Sequence, residues 1–184
     1  MPALFLVEIV PAASTDPNPA LTTLAAVHDR LRDAGAQLIE AQIAAGNGRL
    51  FVVVEADHPR QVARALQGLA AAEVSDPARV RLVGADLDEV KAARPEAGYL
   101  VEWDLPADLD MDTYLARKQA KSPLYANVPE VSFLRTYVRE DMAKCLCFYD
   151  APDPAAVERA RAAVSTPIDR LHALVTLPEG VRLG

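Results

Sequence analysis

The chain repeats itself, and that limits its fold more than any other feature. Phe5-Leu-Val-Glu8 returns as Tyr99-Leu-Val-Glu102, and Leu50-Phe-Val-Val-Val-Glu55 returns as Lys144-Cys-Leu-Cys-Phe-Tyr149, both at an offset of 94. Val62-Ala-Arg-Ala65 returns as Val157-Glu-Arg-Ala160 at 95. Three matches in one order mean that whatever one half folds into, the other half must also be able to form.

Each half reads as strand, helix, hairpin, helix, strand. In the first, a strand at 3–10 precedes a helix opened by Asn18-Pro19, with Leu21, Leu24, Val27 and Leu31 on one face and Gly35 at its end. Strands 37–44 and 49–55 flank the tight-turn signal Gly46-Asn47-Gly48. A helix from Pro59 to about Ala72 and a strand at 79–84 follow. The second half gives a strand at 98–104, a helix from Asp110 to about Lys121, and an irregular stretch from Pro123 to Pro129. Strands 131–139 and 144–149, a helix at 154–164 and a strand near 171–177 complete it.

The expected fold is therefore α+β, with two tandem ferredoxin-like βαββαβ units at 1–95 and 97–184 joined through 85–97, the stretch containing Ala92-Ala-Arg-Pro95. A four-stranded sheet with helices on one side leaves its other face to be covered. Packing of the two sheets as a pseudo-dimeric α/β barrel is one solution, and a homo-oligomer is the alternative.

With 19 Lys and Arg against 26 Asp and Glu, the net charge of -7 repels nucleic acid and anionic membrane surfaces. The apolar start carries Glu8 and lacks a basic leader, so it reads as a strand, and no run is long enough to span a bilayer. Only two cysteines occur, Cys145 and Cys147, whose strand spacing points them the same way without facing each other. A cytoplasmic location is expected.

Strand alternation assigns Tyr99, Val101, Trp103, Leu134, Val138, Leu146 and Phe148 to the helix side. Leu100, Glu102, Asp104, Phe133, Arg135, Tyr137, Cys145, Cys147 and Tyr149 then share the opposite face. The corresponding face of the first half offers Leu6, Glu8, Ile39, Ala41, Ile43, Phe51, Val53 and Glu55, which turns Glu40 and Gln42 toward the helices. A greasy wall opposite a polar one makes a small-molecule pocket between the repeats. Glu102 and Arg135 also read as a structural ion pair, and Cys147 as a small buried hydrophobe. Lys118, Lys121 and Tyr125 flank the break at Pro123, where they would form either a lid or a solvated helix face. His28, His58 and His172 lack the spacing of a local metal motif, and no nucleotide-binding or serine-hydrolase motif occurs.

Tyr99-Leu-Val-Glu102, Leu134-Arg-Thr-Tyr-Val138, Cys147-Phe-Tyr-Asp-Ala-Pro152, Glu158-Arg-Ala-Arg161 and Thr166-Pro-Ile-Asp-Arg170 carry a family resemblance. Residues 99–171 resemble a family of small bacterial ferredoxin-like domains that includes a nickel-binding protein of streptomycetes. The resemblance implies dimers, with a histidine where this chain has Arg135 and a second where it has Arg159. Glu102, Tyr137 and Cys147 match. Guanidiniums cannot ligate a metal, so the substitutions point to an anionic or carbonyl ligand held by Arg135, with Tyr137 donating and Glu102 orienting the guanidinium.

The leading expectation is a small-molecule-binding protein or a cofactor-free enzyme of isomerisation or cyclisation type. Glu102, Arg135 and Tyr137 would be catalytic, with Cys147, Glu8, Glu55, Tyr149, Tyr125 and Lys118 around the ligand. The alternatives are a nickel-type metal site using Glu102 and Cys147, and a non-catalytic assembly module.

Overall fold

The structure, a computed structural model, describes residues 1–93 and 96–178, so the connector proposed around Ala92-Ala-Arg-Pro95 lies partly outside the described residues. These residues form nine strands and five α-helices, and the strand pairings detailed below are all antiparallel. The chain divides into two compact units: Met1–Val80 with the segment from Val175 on, and Arg81–Leu174.

The first unit runs β1 (Ala3–Pro11), α1 (Pro19–Asp33), β2 (Gln37–Ile43), β3 (Leu50–Ala56), α2 (Pro59–Leu66), β4 (Ala71–Val74) and the start of β5 (Ala78–Val83). Pro19 at the first helical position and the stripe Leu24, Val27 and Leu31 make α1. The helix ends before Gly35, whose φ of +73° a side chain would resist. His58 caps α2 by accepting from the Arg60 amide at 3.1 Å. That helix stops at Leu66, short of the Ala72 expected, because Gly68 turns the chain at φ +73°. The strand expected at 79–84 is preceded by a second short one, β4. Together they flank β1, with Ile9 opposite Val74 and Leu4 opposite Val80.

The second unit continues from Arg81 through α3 (Leu87–Ala93), β6 (Tyr99–Asp104), α4 (Met111–Lys121), a 3₁₀ turn (Ser122–Asn127), β7 (Ser132–Arg139), β8 (Lys144–Asp150), α5 (Pro154–Ala163) and β9 (Arg170–Ala173). The order β7-β8-β6-β9 is that of a ferredoxin-like sheet, and β2-β3-β1 with β4 and β5 beyond β1 is its counterpart in the first unit. Helix α3 occupies a stretch read as a plain connection; Asp86 caps it through the Asp88 and Glu89 amides.

Each unit has a core between its sheet and helices. In the first, Phe5, Val7, Ile9, Val52 and Val54 pack with Leu24, Val27, Leu31 and Val62. In the second, Val101, Val138, Cys145, Cys147 and Tyr149 pack with Tyr114, Ala156, Val157 and Ala160.

The faces differ from expectation, and strand irregularities explain why. Between Leu38 and Glu40 the β2 register shifts, so Ala41 and Ile43 join the helix-side core, while Glu40 and Gln42 turn to the other face and bond each other at 2.6 Å. A matching shift lies between Phe133 and Arg135. It sends Phe133 to the helix side and leaves Arg135 and Tyr137 on the other.

Candidate functional site

Across β6 and β8, Val101 faces Cys147, Trp103 faces Cys145 and Tyr99 faces Tyr149, whereas Glu102 faces Leu146 and Leu100 faces Phe148. The face assignment from sequence is therefore corrected for Cys145, Cys147, Tyr149 and Phe133, which lie on the helix side, and for Leu146 and Phe148, which lie opposite. Matching β8 to β3 at an offset of 94 caused the error. The ladders align Val7 with Val52 and Val101 with Cys147, so this strand is displaced by 95, and one residue of slip reverses every side chain.

On the outer face Glu102 is 2% exposed and engages three side chains. Lys144 Nζ donates to Oε1 at 2.7 Å, Arg170 Nε donates to Oε2 at 2.8 Å, and His172 Nε2 lies 2.7 Å from Oε2. Burial alone would push the Glu102 carboxyl up; the hydrogen bonds from His172, Lys144 and Arg170 outweigh it and lower the pKa to about 2. Arg170 also holds Asp104 through both Nη atoms, at 2.9 and 2.6 Å. Beside this cluster the buried Arg135 guanidinium lies 4.9 Å from the Phe148 ring centre, and Tyr137 meets that ring edge-on at 5.8 Å. In the first unit, Glu8 pairs with Arg49 at 3.6 Å, and Glu55 lies opposite Leu4 in β1 and Gln37 in β2.

The helix side holds a cavity of about 130 Å³. Asp110 caps α4 by accepting from the Thr113 amide at 2.8 Å. The helix then presents Tyr114, Arg117, Lys118 and Lys121 along one stripe to the cavity. Pro123 converts the chain to a 3₁₀ turn that sets Tyr125 against Phe133, rings stacked at 5.4 Å, with its hydroxyl 2.7 Å from that of Tyr149. Trp103 and Cys147 also line the cavity.

Arg161 reaches in from the last turn of α5 and is 3% exposed. Its Nη1 donates to the Tyr149 hydroxyl at 3.2 Å and to Cys147 Sγ at 3.5 Å, and Nη2 donates to the Pro167 carbonyl at 2.5 Å. Its Nε is buried with no hydrogen-bond partner among the described residues. Cys147 Sγ also accepts from Thr136 Oγ1 at 3.3 Å and lies 3.9 Å from Cys145 Sγ. A hydrogen bond from Cys145, the charges of Lys118 and Arg161, and the Thr136 hydroxyl push the Cys147 thiol down against its burial, while Cys145 is pushed up. Burial raises the Tyr149 and Tyr114 hydroxyls.

The structure thus gathers Cys147, Tyr125 and Lys118 around one cavity, with Tyr149 bonded to its Tyr125 and Arg161, and holds Glu102, Arg135 and Tyr137 on the opposite sheet face. Arg161, Trp103, Tyr114 and Arg117 were not singled out from the sequence. Two signals point to them: the 114, 117, 118, 121 spacing, and a lone arginine on a helix stripe otherwise made of Val157, Ala160 and Val164.

The topology defines an α+β protein of ferredoxin-like type. Residues 99–174 match the family model described as nickel responsive protein SCO4226-like, which bears out the resemblance read from residues 99–171. No curated protein matches the chain. Among solved structures it is similar to the "Putative Chlorite dismutase TA0507" at 14% identity over 95% of this chain and 94% of that one, with a TM-score of 0.51. A "putative monooxygenase" of Lactobacillus acidophilus NCFM aligns at 9% identity over 95% and 93%, with a TM-score of 0.52. At these identities the likeness shows the fold.

The family's name raises nickel, and the donor set can be tested against it. Glu102 and Cys147 lie on opposite faces of the sheet, so they cannot share an ion. The Glu102 oxygens are engaged by Lys144, Arg170 and His172, and Cys147 sits beside the Arg161 cation. Among the described residues no three His, Cys, Asp or Glu side chains are grouped to hold a metal. The expected metal pair does not fit. No described helix is long and apolar enough to cross a membrane.

Proposed function

We propose that this chain binds a small organic anion, of the size of an aromatic carboxylate, in the helix-side cavity of its second unit. The supporting observation is Arg161, a buried guanidinium whose Nε has no hydrogen-bond partner among the described residues, on the wall of a cavity whose charged lining residues are all basic: Arg117, Lys118, Lys121 and Arg161. A buried cation with no carboxylate partner among the described residues is costly, and a bound carboxylate would offset that cost through charge-assisted hydrogen bonds. Trp103, Tyr114 and Tyr125 supply the apolar walls. The size is apt, since an apolar cavity of about 150 Å³ takes up benzene.

Calorimetric titration with benzoate, and with benzyl alcohol as the uncharged control, tests the reading. Saturable benzoate binding that weakens with salt and is lost in Arg161→Gln is expected. Equal binding of the two compounds, or of neither, would sink it.

We also infer that the two units descend from one duplicated βαββαβ ancestor. The register shifts at Leu38/Glu40 and Phe133/Arg135 recur 95 residues apart, and the β1–β3 and β6–β8 ladders correspond residue for residue. In the first unit Val52 and Leu50 stand where the second has Cys147 and Cys145, so the thiols belong to one copy alone. Restoring this pair of valine and leucine in the second unit should leave a folded protein; loss of cooperative unfolding in that double variant would count against equivalence.

A further inference from the structure

We propose that Cys147 is a nucleophilic thiol that reduces small organic hydroperoxides in the helix-side cavity, with Cys145 as the resolving thiol. The proposal rests on the ligand access assumed above and assigns the site a chemistry.

Four observations carry it. Cys147 lines the cavity although it is otherwise buried, so the cavity is the route by which a ligand would approach it. That sulfur accepts from Thr136 Oγ1 at 3.3 Å and Arg161 Nη1 at 3.5 Å, donors that stabilise a thiolate. Arg161 itself lines the cavity, and its guanidinium, already on the sulfur through Nη1, would hold a peroxide oxygen and the alkoxide that forms from it. The second thiol lies 3.9 Å from the first. A thiol held by hydrogen-bond donors, reached through a cavity and next to a second cysteine has the parts of a peroxide-sensitive site.

The Cys147 thiolate attacks the terminal oxygen of R–O–O–H; the S–O bond forms, the O–O bond breaks, and the alkoxide leaves, taking the proton of the Cys145 thiol to become ROH. The Cys145 thiolate then attacks Cys147 Sγ. The disulfide forms, the S–O bond breaks, and hydroxide leaves as water with the proton that Cys147 had released on ionising. Hydroperoxide is reduced and two thiols are oxidised. Alternate residues of an extended strand are about 6.6 Å apart at Cα, near the upper limit for a disulfide, and their Cβ atoms are farther apart than the roughly 3.5–4.5 Å one needs, so the link requires β8 to buckle locally and would be strained and readily reduced by an external dithiol.

The test treats the full chain with cumene hydroperoxide and reads intact mass and peptide maps. Wild type should lose two hydrogens, with a Cys145–Cys147 link. Cys145→Ser should instead hold one oxygen on Cys147, captured by dimedone, and Cys147→Ser should show neither product. Oxidation should run at least about tenfold faster in folded than in urea-unfolded wild type, a comparison that needs no variant. With dithiothreitol present, the protein should consume hydroperoxide over many turnovers. Equal rates folded and unfolded, or oxidation of Cys145 first, would overturn the proposal. Benzoate separates the two readings: thiols that stay inert in a protein that binds benzoate defeat this proposal alone, and rapid link formation in a protein that ignores benzoate defeats the anion site alone.

Discussion

Val101, and not Glu102, faces Cys147 across the β6–β8 ladder. The carboxylate cluster and the thiol therefore occupy the two faces of one sheet, and substitutions at either can be read separately. Sites this far from sharing partners are expected to add in their effects on stability.

Glu102 should govern acid stability. Its pKa is near 2 in the fold against 4.5 for the unperturbed group, so it binds its proton less readily folded than unfolded. The stabilisation is full above pH 4.5 and is lost as pH falls toward 2, amounting to about 3 kcal/mol. Urea midpoints between pH 6 and pH 2.5 should fall steeply in wild type and much less in Glu102→Gln. At pH 7 that variant should be destabilised by roughly 2–3 kcal/mol, because Lys144 and Arg170 lose their acceptor.

Arg161 should matter more for binding than for folding. Arg161→Met removes a buried charge but also the donor to the Pro167 carbonyl and the Tyr149 hydroxyl, so unfolding free energy should fall by only about 1–2 kcal/mol in the unliganded protein. Benzoate affinity, measured by calorimetry, should drop at least about tenfold. A large loss of stability with binding intact would contradict this assignment.

Asp110 links local structure to the cavity. Asp110→Ala removes the acceptor for the Thr113 amide and should cost about 1 kcal/mol in thermal unfolding. Because α4 carries Arg117, Lys118 and Lys121, fraying of its first turns should also weaken benzoate binding. Asp110→Asn, which keeps a capping oxygen, should restore most of both.

Gly84→Ala should be harmful despite its small size. Gly84 has φ +84°, and a methyl there would meet Phe133 Cε1 at 2.7 Å. Phe133 stacks on Tyr125, so the ring has little room to yield. A loss of roughly 1–3 kcal/mol is expected by denaturant unfolding.

The order of elements was readable because strong punctuation marks them: Pro19, Pro59 and Pro154 open helices, and Gly35 ends one. Helix α1, with Leu24, Val27 and Leu31 in register, lay where its periodicity put it. Faces were less readable. Alternation predicts them only while a strand is regular, and the shifts before Glu40 and Arg135 each reverse what precedes them. Nothing in Ile39 or Leu134 announces a bulge. Phe133 reaches the helix side only through the second shift, whereas Cys147 and Tyr149 on the regular strand β8 were misplaced by an offset of 94 where the ladder has 95. Arg161 was missed for another reason: a charged residue on an apolar stripe looks like noise until the space beside it is known.

The path of the backbone has a consequence for how the molecule is made. The chain leaves the first unit at Val80 and returns to it at Val175, and Val175 and Leu177 pack on that unit's core. The second unit is one unbroken stretch, Arg81–Leu174. During synthesis from the N-terminus, the half that emerges first must wait, missing its last wedge, while the half that emerges second already has all its parts. A chain cut just before Val175 would therefore keep every residue of the second unit while lacking the segment that closes the core of the first.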